Sequence, residues 1–181
     1  MYLCGMNSKN KKIQIASFDD TTVIGINSSL VDYKLAWHIN TKLNIDFVKY
    51  DDLVVEDVGY SFYAYTAGEK YNVFNLVSLA RKDMSWYNFS PRVDFLLIIR
   101  NDVSQDRVNA IIQCLRDIEG VGHAFQMDVN SNKNLMHVLE IIELHEVSLL
   151  EKSKKSNDIK YVRKMMKENA LKAQQERVFQ A

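Results

Sequence analysis

Hydrophobic and polar residues alternate with a period of two at the start of the chain and then take up the spacing of a helix. The alternation predicts β-strands over residues 12–18 and 21–27, which flank two aspartates and are expected to form a hairpin. Ser29 begins a Ser-x-x-Asp pattern that is typical of a helix start. Apolar residues at four-residue spacing carry the predicted helix to about Leu43.

The middle of the chain has the pattern of an antiparallel sheet. Residues 45–50 alternate again, and the aromatic-rich runs 61–67 and 71–79 are separated by a Gly-Glu-Lys turn, which predicts a second hairpin. Residues 80–92 are expected to form a loop. Residues 93–99 are apolar except for one aspartate and predict a central strand that is covered on both faces.

A helix, a strand and a longer helix are predicted after the central strand. Ser104 is expected to cap the first of these helices and Gly120 to end it, and residues 121–129 predict the last strand. From Asn134 onward a broad apolar face predicts a helix that packs on the body or on a second copy. That face consists of Leu135, Val138, Leu139, Ile142, Val147, Leu149 and Leu150.

The order of these elements predicts an α+β domain. We expect a mainly antiparallel sheet with two helices on one face, as in ferredoxin-like domains. A doubly wound parallel sheet would need a helix between most strands, and residues 45–79 have no helical pattern. The predicted parts are a disordered N-terminus over residues 1–11, an α+β domain with a terminal packing helix over residues 12–151, and a basic helical extension over residues 152–181.

Charge separates the extension from the rest of the chain. The formal net charge is zero, but residues 1–151 hold fourteen lysines and arginines against twenty acids, and residues 152–181 hold nine against three. The extension has a narrow apolar stripe, formed by Ile159, Val162, Met166, Ala170 and Ala173. Its other faces are basic and include Lys160, Arg163, Lys164 and Lys167.

Two partners fit a basic extension. It can dock on the acidic body, or it can bind an external polyanion such as nucleic acid. We favour docking, because the extension lacks the interleaved aromatic rings and the arginine-rich composition that single-strand binders use for stacking.

Composition indicates an ordinary globular protein, with 47% hydrophobic and 25% charged residues. Cys4 and Cys114 are far apart and are expected to be free thiols in a reducing compartment. No segment approaches the roughly 20 apolar residues that span a bilayer. We therefore expect a cytoplasmic protein with no membrane partner.

The commonest catalytic and cofactor motifs do not occur in the sequence. His137 and His145 lie about two helical turns or roughly 12 Å apart on the predicted helix, too far to share one metal ion. The P-loop sequence and the Gly-x-Ser-x-Gly elbow are both missing. The sequence thus predicts no catalytic residue, no cofactor and no metal ligand.

The candidate binding residues lie around the central strand. Asp94 stands inside the apolar run and must accept hydrogen bonds or reach solvent, because an unpaired buried carboxylate is costly. We expect it to cap the preceding loop. Trp86, Tyr87 and Phe89 make that loop unusually aromatic, and their rings are candidates for contact with a ligand or a partner chain.

Two segments carry a resemblance to a known family. Residues 23–40 resemble the N-terminal signature of the bacterial IPExxxVDY family, in which similar Ile-Gly-Ile, Asp-Tyr-Arg/Lys-Leu and Trp-x-Ile-Asn patterns occur. Val93-Asp94-Phe95 matches the second half of the naming motif with Phe for Tyr, and Tyr87-Asn88-Phe89 stands where the family has Ile-Pro-Glu. The resemblance covers about residues 13–130 and implies no activity or cofactor, because the family has none established.

Three functional hypotheses follow from the sequence. The leading one is a non-enzymatic cytoplasmic interaction or regulatory protein, with a protein partner or self-association. The alternative is a nucleic-acid-binding protein that uses the basic C-terminal helix. An enzyme of unrecognised type is the third.

Overall fold

The computed structural model describes most of the predicted domain, namely residues 18, 20–66, 73–81, 84–100 and 103–153. The predicted disordered N-terminus lies outside the described residues, as does nearly all of the basic extension, including Lys160, Arg163, Lys164 and Lys167. Ten strands and three helices are described. The strands are β1 (Thr21–Ser28), β2 (Val48–Lys49), β3 (Leu53–Val55), β4 (Val58–Tyr60), β5 (Phe62–Thr66), β6 (Val73–Ser78), β7 (Ala80–Arg81), β8 (Met84–Ser85), β9 (Phe95–Arg100) and β10 (Val121–Met127). The helices are α1 (Asp32–Leu43), α2 (Gln105–Arg116) and α3 (residues 133–153).

Six of the strands form one antiparallel sheet in the order β10-β1-β9-β6-β5-β2. The α+β class with a mainly antiparallel sheet is therefore confirmed. The predicted central strand is β9, which pairs with β1 on one side and β6 on the other. The second predicted hairpin is present as β5 and β6. The first predicted hairpin is wrong, because β9 and β10 occupy both edges of β1.

Side chains of β9, α1 and α2 meet in one part of the core. Because successive side chains of a strand point to opposite faces, Phe95, Leu97 and Ile99 of β9 share one face of the sheet. They belong to a buried cluster with the apolar sides of both helices. The helical members are Leu35, Ala36 and Ile39 from α1 and Val108, Ile111, Ile112 and Leu115 from α2.

The opposite face of the sheet is covered by α3, by the β3-β4 hairpin and by the loop before β9. Leu96 and Ile98 of β9 point to this face and are fully buried there. The first half of α3 contributes the buried side chains Leu135, Val138, Leu139 and Ile142. The predicted packing of this helix on the body is thus confirmed for its first half.

The second half of α3 turns charged residues toward the body. Arg100 at the end of β9 pairs with Glu143 and Glu146 of α3. Val147 and Leu150 are 53% and 61% exposed, so these two residues of the predicted apolar face do not pack on the body.

The start of α1 also differs from the prediction. The helix does not begin at Ser29 but at Asp32, and its N-cap residue Val31 makes no side-chain cap hydrogen bond. Ser28 Oγ instead donates to the Gly120 carbonyl oxygen at 2.9 Å. The segment that leads into α1 is therefore held by the turn that precedes β10.

Two further observations concern the wider predictions from composition. Among the described residues, no helix combines the length and the apolarity that crossing a membrane requires. Cys114 is a half-buried free thiol, and Cys4 lies outside the described residues.

A buried and an exposed residue of α3 provide a test of this arrangement. Leu139 is 1% exposed, whereas the side chain of Asn134 in the first turn is exposed. Leu139→Ala is expected to lower the free energy of unfolding by about 2 to 5 kcal/mol, since it leaves a cavity under the helix. Asn134→Ala is expected to change it by less than about 0.5 kcal/mol. Urea unfolding monitored by circular dichroism measures both, and equal losses would contradict the packing of α3.

Candidate functional site

The most exposed large aromatic residues of the described chain lie on the outer side of α1. Leu35, Ala36 and Ile39 turn one side of this helix into the core. Tyr33 and Trp37 are four residues apart and therefore lie one above the other on the opposite side. Their side chains are 61% and 62% exposed.

A hollow of about 840 Å³ lies beside these rings. Trp37 meets His38 edge-on with ring centroids 4.8 Å apart. Gly120 has φ of 92°, and a Cβ there would lie 2.8 Å from the Leu30 side chain, so the turn behind the hollow requires glycine. We call Leu30, Tyr33, Trp37 and His38 the aromatic face; the other residues that line the hollow are Lys34, Glu119 and Gly120.

Two opposite charges line the hollow beside the rings. Lys34 is exposed on α1 and forms no ion pair within the described part of the chain. Glu119, between α2 and β10, lines the same hollow. The surface therefore combines apolar rings with one lysine and one glutamate.

A second concavity, the polar cleft, has a volume of about 510 Å³. It lies where the end of β1, the start of β9 and the first turn of α1 meet. Its charged lining residues are Asp32, Lys49, Asp52, Arg81, Arg92 and Asp94. The three acids balance the three bases, so the cleft has no formal net charge.

Asp94 is the buried acid of the polar cleft and is 5% exposed. Its carboxylate accepts hydrogen bonds from Asn27 Nδ2 at 2.7 Å, from the Ser28 backbone N–H at 3.1 Å and from Arg92 Nε at 2.8 Å. A buried carboxylate with three donors is satisfied where it stands. Asp94 thereby joins the end of β1 to the start of β9.

Asp32 organises the other side of the polar cleft. It accepts hydrogen bonds from Ser61 Oγ and Tyr63 Oη, and Lys49 Nζ lies 3.6 Å from the same carboxylate. Burial opposes its ionisation, but the hydrogen bonds and the lysine together hold the pKa of Asp32 below its ordinary value. Burial and the neighbouring Asp32 charge raise the pKa of Tyr63. Near neutral pH the carboxylate thus stays ionised and the phenol stays protonated, so neither is tuned for proton transfer.

The aromatic residues predicted from the sequence to contact a ligand or a partner are half-buried. Trp86 stacks on Tyr60 with ring centroids 5.7 Å apart, and Tyr87 meets His137 of α3 edge-on at 6.3 Å. With Phe89 they pack against the core cluster under α3. Asp94 lies in the polar cleft, so these four residues do not form one exposed surface. An interaction role for them stays a prediction.

Sequence reasoning missed three of the residues that shape these surfaces. Tyr33 and Trp37 fall on the side of the predicted helix opposite Leu35 and Ile39, a helical-wheel signal that was available from the sequence. Asp32 was interpreted as a capping residue, and only the fold brings Ser61 and Tyr63 to it. Within the described residues there is no group of three or more histidines, cysteines or acids that could hold a metal ion.

Replacement of Asp94 tests its role in joining the strands. Asp94→Asn presents an amide N–H₂ to a site with three donors and is expected to lower the free energy of unfolding by about 1 to 3 kcal/mol. Asp46→Asn is the control, since Asp46 is exposed and should change stability by less than about 0.5 kcal/mol. Chemical denaturation of both variants makes the comparison. A stable Asp94→Asn variant would overturn a structural role.

Asp32 predicts a pH dependence of stability. Its pKa in the folded chain is below the ordinary value of 3.8, so the carboxylate stabilises the fold above that pH. The contribution is lost as the pH falls from about 3.8 through the lower folded value. The stability difference between wild type and Asp32→Asn should therefore be largest near neutral pH and shrink below about pH 3.8. Denaturant titrations across pH measure it, and Ser61→Ala, which removes one donor, should give a smaller difference of the same sign.

Comparisons with known proteins do not identify a relative. No protein-family model matches the chain, and a search of curated proteins finds no match. The resemblance to the IPExxxVDY family therefore stays a hypothesis from the sequence. The functional interpretation of this chain depends on the geometry of the aromatic face and the polar cleft.

Proposed function

We propose that this chain is a non-enzymatic interaction protein of the cytoplasm, which binds a protein partner through the aromatic face. The observation that carries the proposal is the exposure of Trp37 and Tyr33, at 62% and 61%, beside a hollow. Tyrosine and tryptophan dominate the energetic centres of protein interfaces, because their rings bury a large area with few rotatable bonds.

The lining of the hollow favours a particular kind of contact. It combines the rings of Tyr33 and Trp37 with the opposite charges of Lys34 and Glu119. Complementary charges on the partner would fix its orientation on this surface. The proposed partner therefore presents an apolar side chain that fills the hollow, a carboxylate that meets Lys34 and a basic group that meets Glu119.

The polar cleft supports a non-enzymatic role. The Asp32 carboxylate is already hydrogen-bonded to Ser61 and Tyr63, and its lowered pKa makes it a weak general base. The Asp94 carboxylate is used by Asn27, Ser28 and Arg92. These acids hold elements of the fold together.

Two finer proposals accompany this one. We propose that β10, β1, β9 and β6 with α1 and α2 form a ferredoxin-like unit, supported by their spatial order and by the helix that follows β1 and the helix that follows β9. We propose membership of the IPExxxVDY family on the sequence resemblance alone. Nucleic-acid binding rests on the charge of residues 152–181 and stays an alternative from the sequence.

Site-specific photocross-linking tests the aromatic face. A photoreactive phenylalanine analogue is placed at Tyr33 in one protein and at Tyr50, another exposed tyrosine away from α1, in a second. In extract of the native cells, the Tyr33 position is expected to give a discrete cross-linked protein that the Tyr50 position does not give. Excess wild-type chain should suppress this product, and excess Trp37→Ala should not.

The cross-linked partner, once purified, allows a direct affinity measurement. Trp37→Ala is expected to weaken its binding at least tenfold, about 1.4 kcal/mol, and to leave the thermal midpoint of the free chain unchanged because the ring is exposed. Suppression of the cross-link by Trp37→Ala as strongly as by wild type would refute the proposal. Cross-linking only to a second copy of the chain would replace the proposed partner by self-association.

A further inference from the structure

Three apolar side chains in the second half of α3 are exposed and have no partner within the described residues. Leu144, Val147 and Leu150 follow one another at three-residue spacing and are 70%, 53% and 61% exposed. We call these three side chains the α3 ridge. Single exposed apolar residues are ordinary, but a row of them along one helix marks a surface that something covers.

The chain continues directly beyond the end of this ridge. Twenty-eight residues follow Ser153, and they carry eight lysines and arginines against three acids. Their sequence has a narrow apolar stripe that includes Ile159, Val162 and Met166. Such a stripe buries too little area to hold a helix by itself and needs a complementary surface nearby.

The body is acidic at the place where the basic segment begins. Lys152 Nζ lies 2.9 Å from Asp51 Oδ2, and His145 Nε2 lies 3.0 Å from the Asp51 carbonyl oxygen. Asp51 belongs to a run of twelve residues, 46–57, that contains five acids and one lysine. Charge attraction between this acidic run and a following basic segment would favour docking near Asp51.

We propose that residues 158–173 of the same chain fold back and pack along the α3 ridge. Ile159 and Met166 are seven residues apart and Leu144 and Leu150 are six apart, so two antiparallel helices would match them over roughly 10 Å. The polar residues 154–157 separate the ridge from the apolar stripe in the sequence, and a connection there would have the length that joins neighbouring helices, about 2 to 8 residues.

The covalent connection favours residues 158–173 over a second copy of the chain as the partner of the α3 ridge. Three side chains are far fewer than the roughly 20 to 30 residues a side that a stable protein interface uses. A segment tethered by a short linker binds at an effective concentration in the millimolar range, so a weak contact is sufficient.

Limited trypsin digestion of the full chain tests the docking, because the segment contains the bonds that trypsin cleaves. Val147→Asp disrupts the ridge and Met166→Asp disrupts the stripe. Gln175→Asp adds the same charge to the extension outside the stripe and is the control. Cleavage after residues 160–172 is expected to be about tenfold faster in the first two variants and unchanged in the control, because proteolysis follows the population of the open form. The thermal midpoint of each variant checks that the body remains folded.

Other outcomes name a different occupant. Protection that rises with protein concentration and accompanies a dimer in light scattering would assign the ridge to a second copy. Rapid cleavage of the wild-type extension, unaffected by any of the three substitutions, would show that the segment is undocked and would overturn the proposal. Slow cleavage that Met166→Asp does not change would overturn it as well.

Discussion

The fold depends on the burial of β9 on both of its faces. Leu96, Leu97, Ile98 and Ile99 are all fully buried, and alternate side chains enter two separate clusters. A strand of this kind needs cover above and below, since exposing either row would return several large apolar side chains to water. α1 and α2 provide one cover and the first half of α3 provides the other. The first half of α3 thus completes one of the two clusters of the core.

Hydrogen bonds at the start of β9 connect this buried strand to the surface of the domain. The Asp94 carboxylate accepts hydrogen bonds from Asn27 and Ser28, which fixes the end of β1 beside the start of β9. Ser28 then donates to the Gly120 carbonyl oxygen and accepts from the Leu30 N–H. These bonds set where α1 begins and how its outer side faces the turn before β10. The aromatic face is consequently positioned by partly buried hydrogen bonds.

Periodicity in the sequence predicted elements well where burial is continuous. The apolar run of β9, the stripe of α2 and the start of α3 are all where the pattern placed them, because each repeats over several residues. The pairing of strands was harder to predict, because alternation identifies a strand and does not say which strand it pairs with. β1 pairs with segments about 70 to 100 residues away along the chain, and no local signal encodes that. The predicted start of α1 was wrong for a related reason. The side chain of Asp32 accepts hydrogen bonds from Ser61 and Tyr63, which only the fold brings close to it.

The two groups of aromatic residues explain why the site could be predicted only in part. An aromatic-rich loop predicts exposed rings at Trp86 and Tyr87, yet this loop packs under α3 and the rings are half-buried. Tyr60 and His137 account for their positions. Among the described residues, the neighbouring His38 is the only ring partner of Trp37, and the inner side of α1 is already complete with Leu35 and Ile39 fully buried. Polar residues at positions 33 and 37 would serve the core equally well, so the packing of the described domain gives no reason for Tyr33 and Trp37. Contact with another molecule would supply that reason, and this contrast is why we propose α1 instead of the loop as the interaction surface.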